Sequence, residues 1–149
     1  MKARSRSAAV QAGRGLPMPA ALIAPESPAL VLEPSERAPG RARRYLAERA
    51  REIGVADDYT ARVVVTELVT NAYKHVGFGH IVVRVLPDGR DDLFVIEVWD
   101  EGEGRPVVRD EDQGATNGRG LLLVVQLVHD WGVRSLNEEG KVVWVRCAR

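Results

Sequence analysis

Leu93-Phe94-Val95-Ile96-Glu97-Val98-Trp99-Asp100-Glu101-Gly102-Glu103-Gly104 is the stretch on which the fold turns. Side chains alternate along a strand, so Phe94, Ile96, Val98 and Asp100 share one face. Three apolar residues followed by a carboxylate on the same side is unusual for a core-facing strand. A buried carboxylate needs hydrogen-bond donors, or it takes up a proton. Gly102 and Gly104 follow at once, and glycines let a flat ligand come close to the backbone. Such a carboxylate is suited to accept the exocyclic amine of adenine. The plainer reading is an acidic turn that starts at Asp100. A calcium loop is excluded, because the alternating ligands and closing glutamate of an EF-hand are absent.

Working upstream, Pro87-Asp88-Gly89-Arg90 is a turn signal, and His80 to Leu86 alternates Ile81, Val83 and Val85 as a half-buried strand does. Before it, residues 59–76 read as a helix with Asp57 or Asp58 as its cap. Its apolar stripe is Val64, Val65, Leu68, Val69, Ala72 and Val76. Glu67, Asn71, Lys74 and His75 form a second stripe bordering the first, at the rim of the core. An asparagine within a helix costs propensity, so Asn71 invites a functional reading beside that of a solvated face. An earlier helix runs from a Ser35 cap toward Ile53, its start delayed by Pro39-Gly40, with Tyr45, Leu46, Ala50 and Ile53 near helical spacing. Ala29 to Leu32 is a short strand. Residues 1–28 lack periodicity and are expected to form a disordered or loose arm; residues 29–149 form the domain.

Working downstream, a polar, glycine-rich stretch from Glu101 to Gly120 leads into the apolar segment Leu121 to Val128, expected as a buried helix. Backbone N–H groups at a helix start are unsatisfied and attract phosphate, and Gly114, Gly118 and Gly120 would let the loop fold around it, with Arg119 adding positive charge. The segment is neither a P-loop nor a dinucleotide fingerprint, and a flexible connector is the competing reading. Residues 131–133 and 141–145 close the chain as two strands around a turn at 137–140. Helices early and antiparallel strands late give an α+β sandwich with helices on one face of the sheet.

The 149 residues carry 21 basic and 21 acidic side chains, so no global field favours nucleic acid or an anionic membrane. No apolar run reaches the roughly 20 residues that span a bilayer, and the basic N-terminus breaks before a signal-peptide core forms. The single cysteine, Cys147, is compatible with a reducing cytosol, and a cytoplasmic location is expected.

Three motifs occur in fixed order: Glu67-x-x-x-Asn71 on a helix, Asp100-x-Gly102-x-Gly104 after a strand, and Gly118-x-Gly120-Leu121 opening a helix. With Thr66-Glu67-Leu68-Val69-Thr70-Asn71-Ala72 and Gly120-Leu121-Leu122-Leu123-Val124, that order resembles the GHKL ATPase superfamily, most closely its single-domain anti-sigma serine/threonine kinases. The resemblance covers residue 29 to the C-terminus. It implies the Bergerat fold, a mixed, mostly antiparallel sheet under helices, and the cofactors ATP and Mg²⁺. It further implies that Asn71 ligates Mg²⁺ and that Glu67 is the catalytic base or water-orienting carboxylate. Asp100 would bind the adenine amine, Gly102 and Gly104 would shape that pocket, and Gly118, Arg119, Gly120 and Leu121 would line the phosphates. Residues 105–119 would form a lid. Family members often carry a threonine near adenine on the last strand, where Gly140-Lys141-Val142 places a valine. The implied partners are a sigma factor, an antagonist protein or both, with a homodimer as a further expectation. The implied function is a kinase phosphorylating an anti-sigma antagonist, against a nucleotide-gated interaction module without phosphotransfer. A detached histidine-kinase domain is disfavoured, since no phospho-acceptor helix precedes the domain.

Overall fold

The computed structural model describes residues 28–102, 119–135 and 140–149, with the backbone alone for residues 119–121. Among the described residues five strands, β1 (Leu30–Leu32), β2 (Ile81–Pro87), β3 (Leu93–Asp100), β4 (Asp130–Ser135) and β5 (Lys141–Ala148), form one sheet in the order β1-β2-β3-β5-β4. Every neighbouring pair among the described residues is antiparallel, in keeping with the mostly antiparallel sheet expected. Helices α1 (Ala38–Glu52), α2 (Tyr59–His75) and α3 (Arg119–Leu127) complete the α+β architecture. The loose arm expected over residues 1–28 lies, except for Pro28, outside the described residues.

The local chemistry of α1 and α2 follows the chain closely. Pro39 sits in the first turn of α1, where its missing N–H costs nothing. Ser35 does not cap the helix itself; its Oγ accepts from the N–H of Arg37 at 3.1 Å, just before the first turn. The two aspartates before α2 divide the work: Asp57 accepts from the N–H of Tyr59 at 3.0 Å, while Asp58 pairs with Arg62 one turn on. Gly54, at φ +83°, turns the chain between the helices, a conformation glycine adopts without strain.

The core lies between the helices and one sheet face. Val64, Val65, Leu68, Val69 and Ala72 of α2 are buried against Ala42, Leu46 and Ala50 of α1 and against Val83, Val85, Phe94, Ile96 and Val98 of the sheet. Burying each valine or larger side chain is worth about 1.5–3 kcal/mol. Helix α3 departs from its expected character. Val124 is fully buried, but Leu123 and Leu127, one turn apart, are exposed, so this apolar helix is buried along one stripe only. Cys147 lies in the same core, where burial pushes its thiol up to about 12.

The second face carries Leu86, Val95 and Trp144, a buried cluster with no helical member among the described residues. Beside it runs a row of charge. Arg84 donates to Glu97 Oε1 at 3.3 Å, and Trp99 Nε1 donates to the same oxygen at 3.1 Å. Glu97 Oε2 is buried with no partner. Desolvation by burial raises the Glu97 pKa above its ordinary 4.5, outweighing the Trp99 hydrogen bond and the Arg84 charge that lower it. A carboxyl with a raised folded-state pKa stabilises the fold below its unfolded value, and that contribution is lost as pH rises through the folded one. Glutamine mimics the protonated form at every pH. The melting temperature of Glu97→Gln should therefore move upward relative to wild type as pH rises from 4.5, whatever its offset at low pH. A difference that stays flat with pH would show Glu97 titrating as an ordinary carboxylate.

Candidate functional site

The helix-side face of β3 runs Phe94, Ile96, Val98 and then Asp100, with the carboxylate only 6% exposed. Its cross-strand partner is Lys141, the first residue of β5. Lys141 Nζ donates to Asp100 Oδ1 at 2.9 Å, and the N–H of Gly102 donates to the same oxygen at 2.9 Å. The donors a buried carboxylate requires are thus a buried ammonium and its own turn.

Main chain closes in around this carboxylate. Gly140 has φ +100°, and a Cβ there would lie 2.4 Å from the carbonyl oxygen of Asp100. A Cβ on Gly102 would lie 2.6 Å from Cγ2 of Val76, the residue that caps α2. Gly79 has φ +73°, and a Cβ there would collide with the carboxylate of Glu101. That carboxylate also accepts from the N–H of His80 at 2.7 Å, tying the α2–β2 connection to the turn after β3. The end of α2, the end of β3 and the start of β5 therefore meet at Asp100.

From that junction the site extends back along α2. Asn71 and Glu67 are half-buried at the rim of the core, as their stripe required. At 1.5 Å rise per residue, Asn71 lies about 7.5 Å and Glu67 about 13.5 Å back along the axis from Val76. Lys74 and His75 are exposed in the last turn. Arg119, Gly120 and Leu121 form the first turn of α3, which packs on α2, so the unsatisfied N–H groups of that turn belong to the same layer. Gly104, Gly118 and the lid expected over 105–119, except Arg119, lie outside the described residues.

One expectation is overturned. Val142 does not stand beside Asp100; it pairs with Trp99 and is buried on the opposite face. Alternation makes Lys141 the residue that faces the carboxylate. The sequence reading missed Lys141, Gly140 and the Gly79–Glu101 contact. Only Lys141 had an available signal: an antiparallel partner of Asp100 had to be sought directly after the turn glycine.

The residues present fit a purine nucleotide with Mg²⁺. Asp100 Oδ2 accepts no hydrogen bond from the described residues. No cluster of three acidic, histidine or cysteine side chains occurs among the described residues. Asn71, half-buried at the rim of the core, offers the kind of oxygen that Mg²⁺ takes beside phosphate and water.

The fold and this site define a nucleotide-binding domain of the GHKL superfamily. Residues 32–147 match the histidine kinase-like ATPase domain, and the chain belongs to that family, which includes anti-sigma-factor kinases. Comparison with curated proteins gives no match. Among the described residues no helix is long and apolar enough to cross a membrane.

Asp100→Asn tests the site. It should weaken ATP and ADP binding together by roughly 1.5–3 kcal/mol, the worth of a hydrogen bond to a charged group. It should also lower stability by on the order of 3 kcal/mol, because it removes the counter-charge of buried Lys141. Calorimetric titration and thermal melting read the two effects; unchanged affinity for both nucleotides would remove Asp100 from the site.

Proposed function

We propose that this protein is an ATP-dependent serine/threonine kinase of the anti-sigma type, acting on an antagonist protein and binding a sigma factor. The observation that carries the reading is the placement of Glu67 and Asn71 on one stripe of α2, one turn apart and leading away from the Asp100 junction. A base held at Asp100 would direct its phosphates back along that stripe, toward the first turn of α3.

Each group then has a distinct task. Asp100 Oδ2 accepts the exocyclic amine of adenine. The first-turn N–H groups of α3 hold phosphate oxygens, with Arg119 adding charge. Asn71 offers a neutral oxygen to Mg²⁺, a hard cation that favours such ligands. When bound, Mg²⁺ supplies neutralisation of the charge that develops on the transferring phosphoryl group. Glu67 accepts the proton of the attacking serine or threonine hydroxyl. That oxygen bonds to the γ-phosphorus as the bond to the bridging oxygen breaks and ADP departs. The side chains of Glu67 and Asn71 make no hydrogen bond to the described residues, which leaves both open to these tasks.

The reading separates the two residues experimentally. Asn71→Ala should weaken Mg²⁺-dependent ATP binding. Glu67→Ala should leave ATP binding nearly intact while phosphate transfer falls about 10²–10⁴-fold, as general-base losses do. Labelled ATP with antagonist proteins, run beside direct ATP titration, reads both. Absence of transfer by wild type to any protein it binds, with ATP still altering partner affinity, would replace the kinase by a nucleotide-gated interaction module.

A further inference from the structure

Lys141 is 8% exposed in a chain whose other described lysine, Lys74, is exposed in the last turn of α2. Lysine is almost never buried so far unless paired, and its partner here is the carboxylate assigned to the base. The pair faces the helix side of the sheet, directly beyond Val98 and Val143, which are cross-strand partners in the core. Two donors, Lys141 Nζ and the N–H of Gly102, converge on Oδ1 of Asp100. That leaves Oδ2 as the open acceptor. The ammonium has three N–H bonds, and Asp100 takes one of them; Lys141 donates no other hydrogen bond to the described residues. The end of β3 and the start of β5 thus present a charged acceptor and a charged donor side by side.

Adenine carries the complementary pair on adjacent atoms: a donor, the exocyclic amine, beside an acceptor, ring N1. We propose that Asp100 and Lys141 read this edge together, Oδ2 accepting from the amine and Nζ donating to N1. The proposal rests on the assignment of Asp100 to the base and adds a second recognition point to it. Lys141 is then a specificity residue, and its charge-assisted bond is stronger than one a neutral donor would give. A lysine that only neutralised Asp100 would stabilise the fold to the same degree yet be indifferent to N1.

Three nucleotides distinguish these roles on the full chain by calorimetric titration with Mg²⁺: ATP, 1-deaza-ATP, which has C–H in place of N1, and 7-deaza-ATP, which keeps both recognition atoms. Wild type should bind 7-deaza-ATP as it binds ATP and 1-deaza-ATP roughly tenfold more weakly, the loss of one bond to a charged group. Lys141→Met should lose about the same factor for ATP and no more for 1-deaza-ATP, so that the two nucleotides bind alike. Should Lys141→Met fail to fold by thermal melting, Lys141→Leu is titrated in its place, and equal wild-type affinity for ATP and 1-deaza-ATP overturns the proposal in either case. Equal wild-type affinity for ATP and 1-deaza-ATP would reduce Lys141 to a structural counter-ion and overturn the proposal while leaving Asp100 in place. A 1-deaza penalty that persists undiminished in Lys141→Met would assign N1 to another group and overturn it too. Wild-type binding of none of the three would overturn the nucleotide reading of Asp100, and the proposal with it.

Discussion

Strand β3 is hydrogen-bonded along both edges, and the rest of the domain is arranged around that constraint. It pairs with β2 from Trp99 opposite Val82 to Phe94 opposite Pro87, and with β5 over its whole length. A slip of one residue would carry Phe94, Ile96 and Val98 away from the helices and bring Glu97 into their place. The apolar stripe of α2 has only one sheet face to meet. Once β3 is fixed, the position of Asp100 at its end is fixed as well, with no side-chain freedom needed to bring it there.

The same strand carries a buried ion pair on each face. Arg84 and Glu97 lie on the second face with Trp99, and Asp100 and Lys141 lie on the helix side at the strand end. Neither arrangement is a cheap source of stability, because desolvating two charges offsets most of their attraction. Their surroundings differ in kind. Glu97 is enclosed by side chains from neighbouring strands, whereas Asp100 is bordered by the backbone of Gly102 and Gly140. A charged pair bordered by main chain, at the end of a sheet and next to a helix terminus, meets a flat partner with no side chain at Gly102 or Gly140 in the way.

Local pattern made much of this legible. Alternation in residues 93–100 identified the strand and its inward carboxylate, and the 3.6-residue period in 59–76 separated the buried stripe from Glu67 and Asn71. Long-range register was not legible. Which residue after Gly140 stands opposite Asp100 depends on how two strands 41 positions apart align, and nothing near Lys141 encodes that. A family expectation therefore drew attention to Val142, on the wrong face. Composition misled at α3, since an apolar run does not say how many of its faces meet a partner, and Leu123 and Leu127 do not. The burial of Glu97 was not legible either, since nothing near it signals that strands on both sides enclose it.

The glycines around Asp100 bear on how such a pocket can change over evolutionary time. A wall made of backbone from three separate segments offers substitution little to act on, since any side chain added at Gly102 or Gly140 meets Val76 or the chain of Asp100 itself. Variation that retunes ligand preference is channelled instead to neighbours that do present side chains, among the described residues Val76, Glu101 and Lys141. Divergence of this lineage toward another base would leave its record at such positions, while Gly102 and Gly140 stayed unchanged.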